Sequence, residues 1–351
     1  MNSKELVLNL LNGKETDRPA CYSGMGNVTT AGLDQFGYKF AKVHRDAKMM
    51  ADTAASSHKL FGYECAIIPY DLCLEAEAIG CVMNPYEEVD QLLYPTIKEK
   101  VCHSEDEMET FPIPENITTK GRVPMVCEAL KLLQDDIGSE VAIGSYVLGP
   151  FTLAGQLMDL NDLFKLSFKK QDKVNAMLDR LSNVTIEVAK ALHAAGADYI
   201  CIREMGATTD VLSPKVFRNV IFPHLKKVQT ALAAINCPTI LHICGGTNSI
   251  MEILKEVGCN AISVETKNDM AKSRETIGWE PLIFGNIDAY NVLVTGSPAD
   301  VEKAAMAALE AGVDAVWPSC DIWPTAPIEN LKTMVETVKK YGAEKWVRKN
   351  R

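Results

Sequence analysis

Eight short apolar runs, most of them separated by helical patterns, predict a (β/α)8 TIM barrel. The runs fall at 18–23, 63–69, 141–148, 198–203, 238–243, 261–265, 281–286 and 314–318. A repeated junction supports the same fold. A helix stops at Gly, Asp or Asn follows, and a strand begins. Ala195-Gly196-Ala197-Asp198-Tyr199-Ile200, Val257-Gly258-Cys259-Asn260-Ala261-Ile262 and Ala311-Gly312-Val313-Asp314-Ala315-Val316 are three copies of it. A length of 351 residues suits one barrel, and no linker, low-complexity stretch or compositional break divides the chain. One domain over 1–351 is the expectation.

The elements follow in order. Residues 1–17 read as a helical extension with Ser3 as N-cap, placed to plug the bottom of the barrel. Helical patterns cover 46–61, 122–137, 171–195, 213–235, 249–257, 269–277 and 299–311. Residues 71–121, with short apolar pieces and acidic, Pro-rich links, read as an insertion after the second strand. A last helix over 326–341 begins after Pro324 and Pro327.

The net charge of −10 argues against nucleic acid as a partner, because phosphate binding needs clustered Lys and Arg. A local basic pocket is compatible with that balance. No apolar stretch approaches the roughly 20 residues of a membrane span. The N-terminus reads as a capped helix and not as a signal peptide, so a cytoplasmic location is expected. Eleven Cys in such a chain read as free thiols and not as disulfides. Cys21, Cys65, Cys127, Cys201 and Cys237 lie in or beside apolar runs and read as core.

Barrel chemistry sits at the C-terminal strand ends. Polar residues predicted there are Ser23, Tyr70, Asp71, Glu204, His242, Cys244, Glu265, Asn286, Cys320 and Asp321. His242 and Cys244 stand two apart at the end of the apolar run Pro238–Leu241, so both side chains point the same way. Gly245-Gly246 lets the backbone turn beside them. Cys320, after Asp314–Trp317, can supply a third ligand. Three protein ligands with one open position is the pattern of catalytic zinc. The bland alternative is a packed His and buried thiols; the place of His242 and Cys244 at a strand end favours the metal. His44, His58, His103, His193 and His224 lie on helical or loop segments and read as non-functional.

Along its full length the chain resembles the uroporphyrinogen decarboxylase superfamily, and within it the zinc-dependent corrinoid methyltransferases. The likeness rests on Asn12-Gly13-Lys14-Glu15-Thr16-Asp17-Arg18-Pro19, on Gly121–Leu130 and on Leu212-Ser213-Pro214. It continues in Leu241-His242-Ile243-Cys244-Gly245, Phe284-Gly285-Asn286 and Pro327-Ile328-Glu329-Asn330-Leu331. The resemblance implies a (β/α)8 barrel and a zinc ion held by His242, Cys244 and Cys320. It also implies a corrinoid carried by a separate small protein, and a methyl acceptor such as coenzyme M, a thiol. The decarboxylase branch binds its acidic substrate through an Arg-rich segment after the first strand. Here that segment is Ser23–Thr30, without Arg, so uroporphyrinogen decarboxylation is not expected.

Around the last ligand the family commonly reads Gly-Cys-Gly, whereas this chain has Ser319-Cys320-Asp321. Trp317, Trp323 and Asp321 are expected to meet the corrinoid or an aromatic substrate, or to fill the rim. Glu204 is a candidate fourth ligand or acid/base, with pairing to Arg203 as its alternative. Asp71, Glu204, Glu265 and Asn286 are expected to line one cavity above the metal. Two other readings stay open. One is a component that demethylates a methoxylated aromatic or other methylated compound onto Co(I); the other is a non-catalytic module that binds the corrinoid protein.

Overall fold

The computed structural model describes residues 1–346. Eight parallel strands form one curled sheet: β1 Ala20–Cys21, β2 Cys65–Ile68, β3 Ala142–Leu148, β4 Tyr199–Arg203, β5 Thr239–Ile243, β6 Ala261–Val264, β7 Leu282–Ile287 and β8 Ala315–Pro318. Neighbours run in the order β1-β8-β7-β6-β5-β4-β3-β2, which is the consecutive order of a (β/α)8 barrel. Seven of the runs read from the sequence contain their strands, and β7 extends one residue beyond the run 281–286.

The β1–β2 seam is the weak point, since β1 has only two ladder residues. Glu64 N–H donates to the Cys21 carbonyl at 3.2 Å. The fully buried Glu64 carboxylate accepts from Cys21 N–H at 2.8 Å and pairs with Arg18 at 2.6 Å. A buried carboxylate left without such partners would cost several kcal/mol, roughly, so Arg18 is part of the closure.

The first helix spans Ser3–Leu11 and is capped by Asn2, not Ser3. Asn2 accepts from Glu5 N–H, and Glu5 reaches back to complete a capping box. The Ser3 hydroxyl is engaged with Glu64 at 3.1 Å instead. Leu6, Val7, Leu10 and Leu11 are buried, and the helix is bonded to Glu140 and Asn260, which precede β3 and β6. It thus covers the N-terminal ends of the barrel.

The helical stretch expected over 213–235 is interrupted. It runs as Pro214–Val216, a wide π-helical turn Phe217–Ile221, and Phe222–Ala233. Pro223 has no N–H to donate back one turn, and the widened turn accommodates that loss. The segment 71–121 carries a short helix Leu74–Ile79 and a hairpin of Val82–Asn84 with Thr96–Glu99. Helices Thr30–Phe36, Phe40–Val43, Pro150–Leu157 and Leu160–Lys169 had no clear signature in the sequence. Among the described residues no helix is long and apolar enough to cross a membrane.

Candidate metal centre

Along β4 and β5 alternate side chains enter the barrel, and the register sets Arg203 opposite His242 and His242 opposite Ser263 of β6. His242 is fully buried. Its Nδ1 lies 2.9 Å from Ser263 Oγ, which fixes the ring so that Nε2 faces Cys244 Sγ at 3.2 Å. Burial, helped by the Arg203 guanidinium, pushes the imidazole pKa down to about 3, so the ring is neutral at physiological pH. A neutral ring with its second nitrogen anchored is what a metal ligand requires.

Beyond Cys244 the chain turns at Gly245, whose φ is +75°. A Cβ there would fall 2.3 Å from Thr208 Oγ1. Gly245 N–H donates to Glu265 at 2.5 Å, and Asn268 bonds the Gly245 and Glu265 carbonyls at 2.9 and 3.0 Å. These bonds lock the loop after β5 to the loop after β6.

Cys320 follows β8, and Ser319 N–H donates to the Ile287 carbonyl at 2.7 Å. The Cys320 thiol turns into the barrel mouth against Cys244. Their mutual hydrogen bond pulls the Cys320 thiol pKa down and drives that of Cys244 up. Contacts therefore run from His242 to Cys244 and from Cys244 to Cys320. Among the described residues, no three His, Cys, Asp or Glu side chains are drawn into a finished metal cage. The donor set itself, one neutral imidazole and two thiols at one strand-end cluster, is chemically suited to zinc.

Asp321 ties the mouth together. Its Oδ1 accepts from Gly26 N–H and, at 3.1 Å, from Arg203. Arg203 also reaches the Gly24 carbonyl at 3.3 Å and lies 3.3 Å over the Tyr146 ring. Gly24 is obligatory for this closure, because a Cβ would fall 2.7 Å from both Cys201 and Trp317. A cavity of about 580 Å3 opens beside Cys320 and Asp321, walled by Tyr94, Tyr290, Trp323 and Leu92. Trp323 is 48 % exposed and meets Tyr290 edge-on at 5.1 Å.

Three expectations need correction. Glu204 is not placed to be a fourth ligand. Its carboxylate accepts from the N–H groups of Phe151 and Thr152 and from the Thr152 hydroxyl, at 3.1, 2.6 and 2.6 Å, capping helix Pro150–Leu157. The inward residue of β4 is Arg203, one position earlier, so the error is one of strand parity. Asp71 does not join Glu265 and Asn286. It is buried in a pair with Arg122 at 2.7 and 2.8 Å and touches His44 Nδ1 at 3.0 Å. Burial alone would raise its pKa, but Arg122 and then His44 hold it well below the usual carboxylate range. Trp317 is fully buried, stacked on Phe284 at 5.7 Å and edge-on to Tyr22, and so belongs to the barrel core.

Glu265 and Asn286 do lie together, with Asn286 Nδ2 donating to the Glu265 carbonyl at 3.4 Å. Arg203, Ser263, Asn268, Tyr94 and Tyr290 were missed. Arg203 and Ser263 were within reach of strand alternation, whereas Tyr94 and Tyr290 come from loops whose course no pattern specified.

A family model described as uroporphyrinogen decarboxylase (URO-D) matches residues 2–341. A methylcobamide:CoM methyltransferase of Methanosarcina barkeri is 32% identical over 346 residues, covering 97% of this chain and 98% of that protein. A methylated-thiol–coenzyme M methyltransferase of Methanosarcina mazei is 26% identical, with 90% of this chain and 83% of that one covered. A solved structure of a methyltransferase from Methanosarcina mazei superposes with a TM-score of 0.91 at 30% identity, covering 97% of this chain and 99% of that one. A uroporphyrinogen decarboxylase of Pelobacter propionicus is 22% identical over 311 residues, covering 86% of this chain and 87% of that one.

Proposed function

The chain belongs to the uroporphyrinogen decarboxylase family, and from that premise we propose that it is a corrinoid-dependent methyltransferase, moving a methyl group between a protein-bound corrinoid and a thiol. The observation that carries the reading is the His242–Cys244–Cys320 cluster at the mouth of the barrel, beside an open cavity. His242, Cys244 and Cys320 would hold zinc. When bound, zinc would lower the pKa of an acceptor thiol and keep the thiolate nucleophilic. The acceptor sulfur attacks the methyl carbon in line, the new S–C bond forms, and the Co–C electron pair leaves with cobalt as Co(I).

This chain's own residues do the positioning. Ser263 orients the His242 ring, and Glu265 with Asn268 fixes the turn that presents Cys244. The cavity walled by Tyr94, Tyr290 and Trp323 opens beside Cys320, where the macrocycle must approach. Orientation of this kind accounts for much of the advantage of a bound over a free reactant. Decarboxylation of a porphyrinogen fits poorly. The segment Gly24–Val28 is buried in the mouth and carries no Arg for a substrate with many carboxylates.

The test has two parts. Metal analysis should find one zinc per chain, and Cys320→Ser should lose most of it while keeping the wild-type far-UV spectrum. Methylcobalamin with a panel of thiols should give the Co(I) absorbance, and that signal should fall at least about a hundredfold in the variant. Absence of stoichiometric metal would return the chain to a non-catalytic corrinoid-protein binding module. Running Co(I) with methoxylated aromatics reads the demethylating direction.

A further inference from the structure

We propose that a second cavity, next to the one at Cys320, takes a neutral primary-amide arm of the corrinoid, and that Gln156 recognises it. The inference rests on the methyl-transfer reading and deepens it, because a seated arm sets the rotation of the macrocycle over the site. The second cavity holds about 250 Å3 and lies between the segment after β2, the hairpin at Tyr94–Thr96 and helix Pro150–Leu157. Tyr94 and Asp321 line both cavities and form their common wall, whereas Cys320 lines the larger one. Pockets that take a whole small ligand hold roughly 300–1,000 Å3. The cavity of about 580 Å3 at Cys320 falls in that range and its neighbour below it. The smaller cavity therefore suits one arm of a molecule seated in the larger.

The lining selects the chemistry of that arm. Its two carboxylates are already paired, Asp71 with Arg122 at 2.7 Å and Asp321 with Arg203 at 3.1 Å. The Cys73 thiol donates to the Pro95 carbonyl at 3.3 Å, the Tyr70 hydroxyl to that of Met50 at 2.7 Å, and Thr96 is bonded to Tyr86 at 3.0 Å. Gln156 is half-buried and has no hydrogen-bond partner among the described residues. A charged arm would enter without a free counter-charge, which is costly. A neutral primary amide meets Gln156 donor to acceptor and acceptor to donor. Corrin rings carry such amides on their rim, and the propionamide arms reach farthest. Gln156 is also held in place. Its helix is capped at the start by Glu204, and near its end Lys100 donates to the Gly155 carbonyl at 2.9 Å and to that of Met158. Tyr94, the common wall, packs edge-on against Phe40 at 4.9 Å and His44 at 5.6 Å. Little ordering is left to be done on binding.

The experiment reads corrinoid affinity without turnover, by equilibrium dialysis of free methylcobalamin in the dark. Gln156→Leu should weaken binding at least about fivefold, the loss of a pair of neutral hydrogen bonds. The KM for the thiol should stay at its wild-type value, since the acceptor lies in the other cavity. The three monocarboxylic acids of methylcobalamin, each with one propionamide hydrolysed, test the arm itself. Wild type should bind one of them about tenfold more weakly than the other two, because a single pocket meets a single arm. That gap should close in Gln156→Leu. Equal wild-type affinity for the three acids overturns the proposal even if the variant does not fold. So does a gap that persists in Gln156→Leu, or a rise in thiol KM with corrinoid affinity unmoved, which would give the pocket to the acceptor. Absence of methylcobalamin binding to the wild type would instead overturn the methyltransferase reading, and this inference with it.

Discussion

Glu204 shows how one residue can look catalytic and act structurally. It is fully buried, and burial raises its pKa to about 7 despite hydrogen bonds from Thr152 and Phe151. An unfolded Glu titrates near about 4.3. The folded chain therefore holds this proton more tightly, and the stability it contributes is lost as pH rises through about 7. Glu204→Gln abolishes the titration. The melting temperature of the variant relative to wild type should accordingly rise between pH 5 and pH 8, by the equivalent of about 2–4 kcal/mol. Glu75, also raised to about 7 by burial, is present in both proteins and cancels. A difference that is flat with pH would mean that Glu204 is ionised throughout.

At the scale of elements, the insertion is docked by charge. Arg122, the residue before helix Val123–Ile137, bonds Asp71 through two nitrogens, Glu77 at 2.6 Å and the His44 carbonyl at 2.9 Å. One guanidinium thus joins the end of β2, helix Leu74–Ile79 and the segment after Phe40–Val43. Its flanking residue Gly121 has φ +51° and lies against Ala78, so the approach is close. Breaking a buried pair of this kind by removing one partner costs about 3–5 kcal/mol. Arg122→Met should lower the denaturation midpoint by that equivalent and open residues 71–121 to limited proteolysis, leaving metal content less affected. A cost below about 1 kcal/mol would show that the insertion is held by its apolar contacts alone.

For the whole molecule, the barrel and the proposed metal site are separable. The ends of β5 and β8 that carry the proposed ligands sit on a core that includes Ile240, Ile243, Val316 and Trp317, all buried. Chelation should therefore abolish methyl transfer while leaving the far-UV spectrum intact, unlike a small zinc-dependent domain that unfolds without its metal. Loss of the folded signal on chelation would place the metal in the folding core. Trp323 tests the open side. Trp323→Ala should slow transfer from free methylcobalamin about three- to tenfold at unchanged metal content, because an exposed ring on the cavity wall would lend contact to the macrocycle and little to the fold. Wild-type rates would make that ring rim filler.

Hydrophobic periodicity and helix-stop chemistry are local, and they were sufficient for the barrel. Each of the eight runs coincides with its strand to within a residue or two at its ends because strand, Gly and Asp or Asn signals recur within a few residues. The pairing of His242 with Cys244 was equally local, since a two-residue spacing that continues the extended course of β5 past its last residue keeps a shared face. What the sequence could not supply was parity at the end of β4 and contacts between loops distant in the chain. Arg203 and Glu204 differ by one position, and only the register with His242 decides which enters the barrel. Trp317 and Trp323 look alike in a string of letters. One is sealed against Phe284 and the other stands beside Tyr290. The union of Asp321 with Arg203 spans 118 residues, and that of Asp71 with Arg122 joins two ends of an insertion. Such contacts are fixed by barrel closure, which is a property of the whole chain and of no window within it.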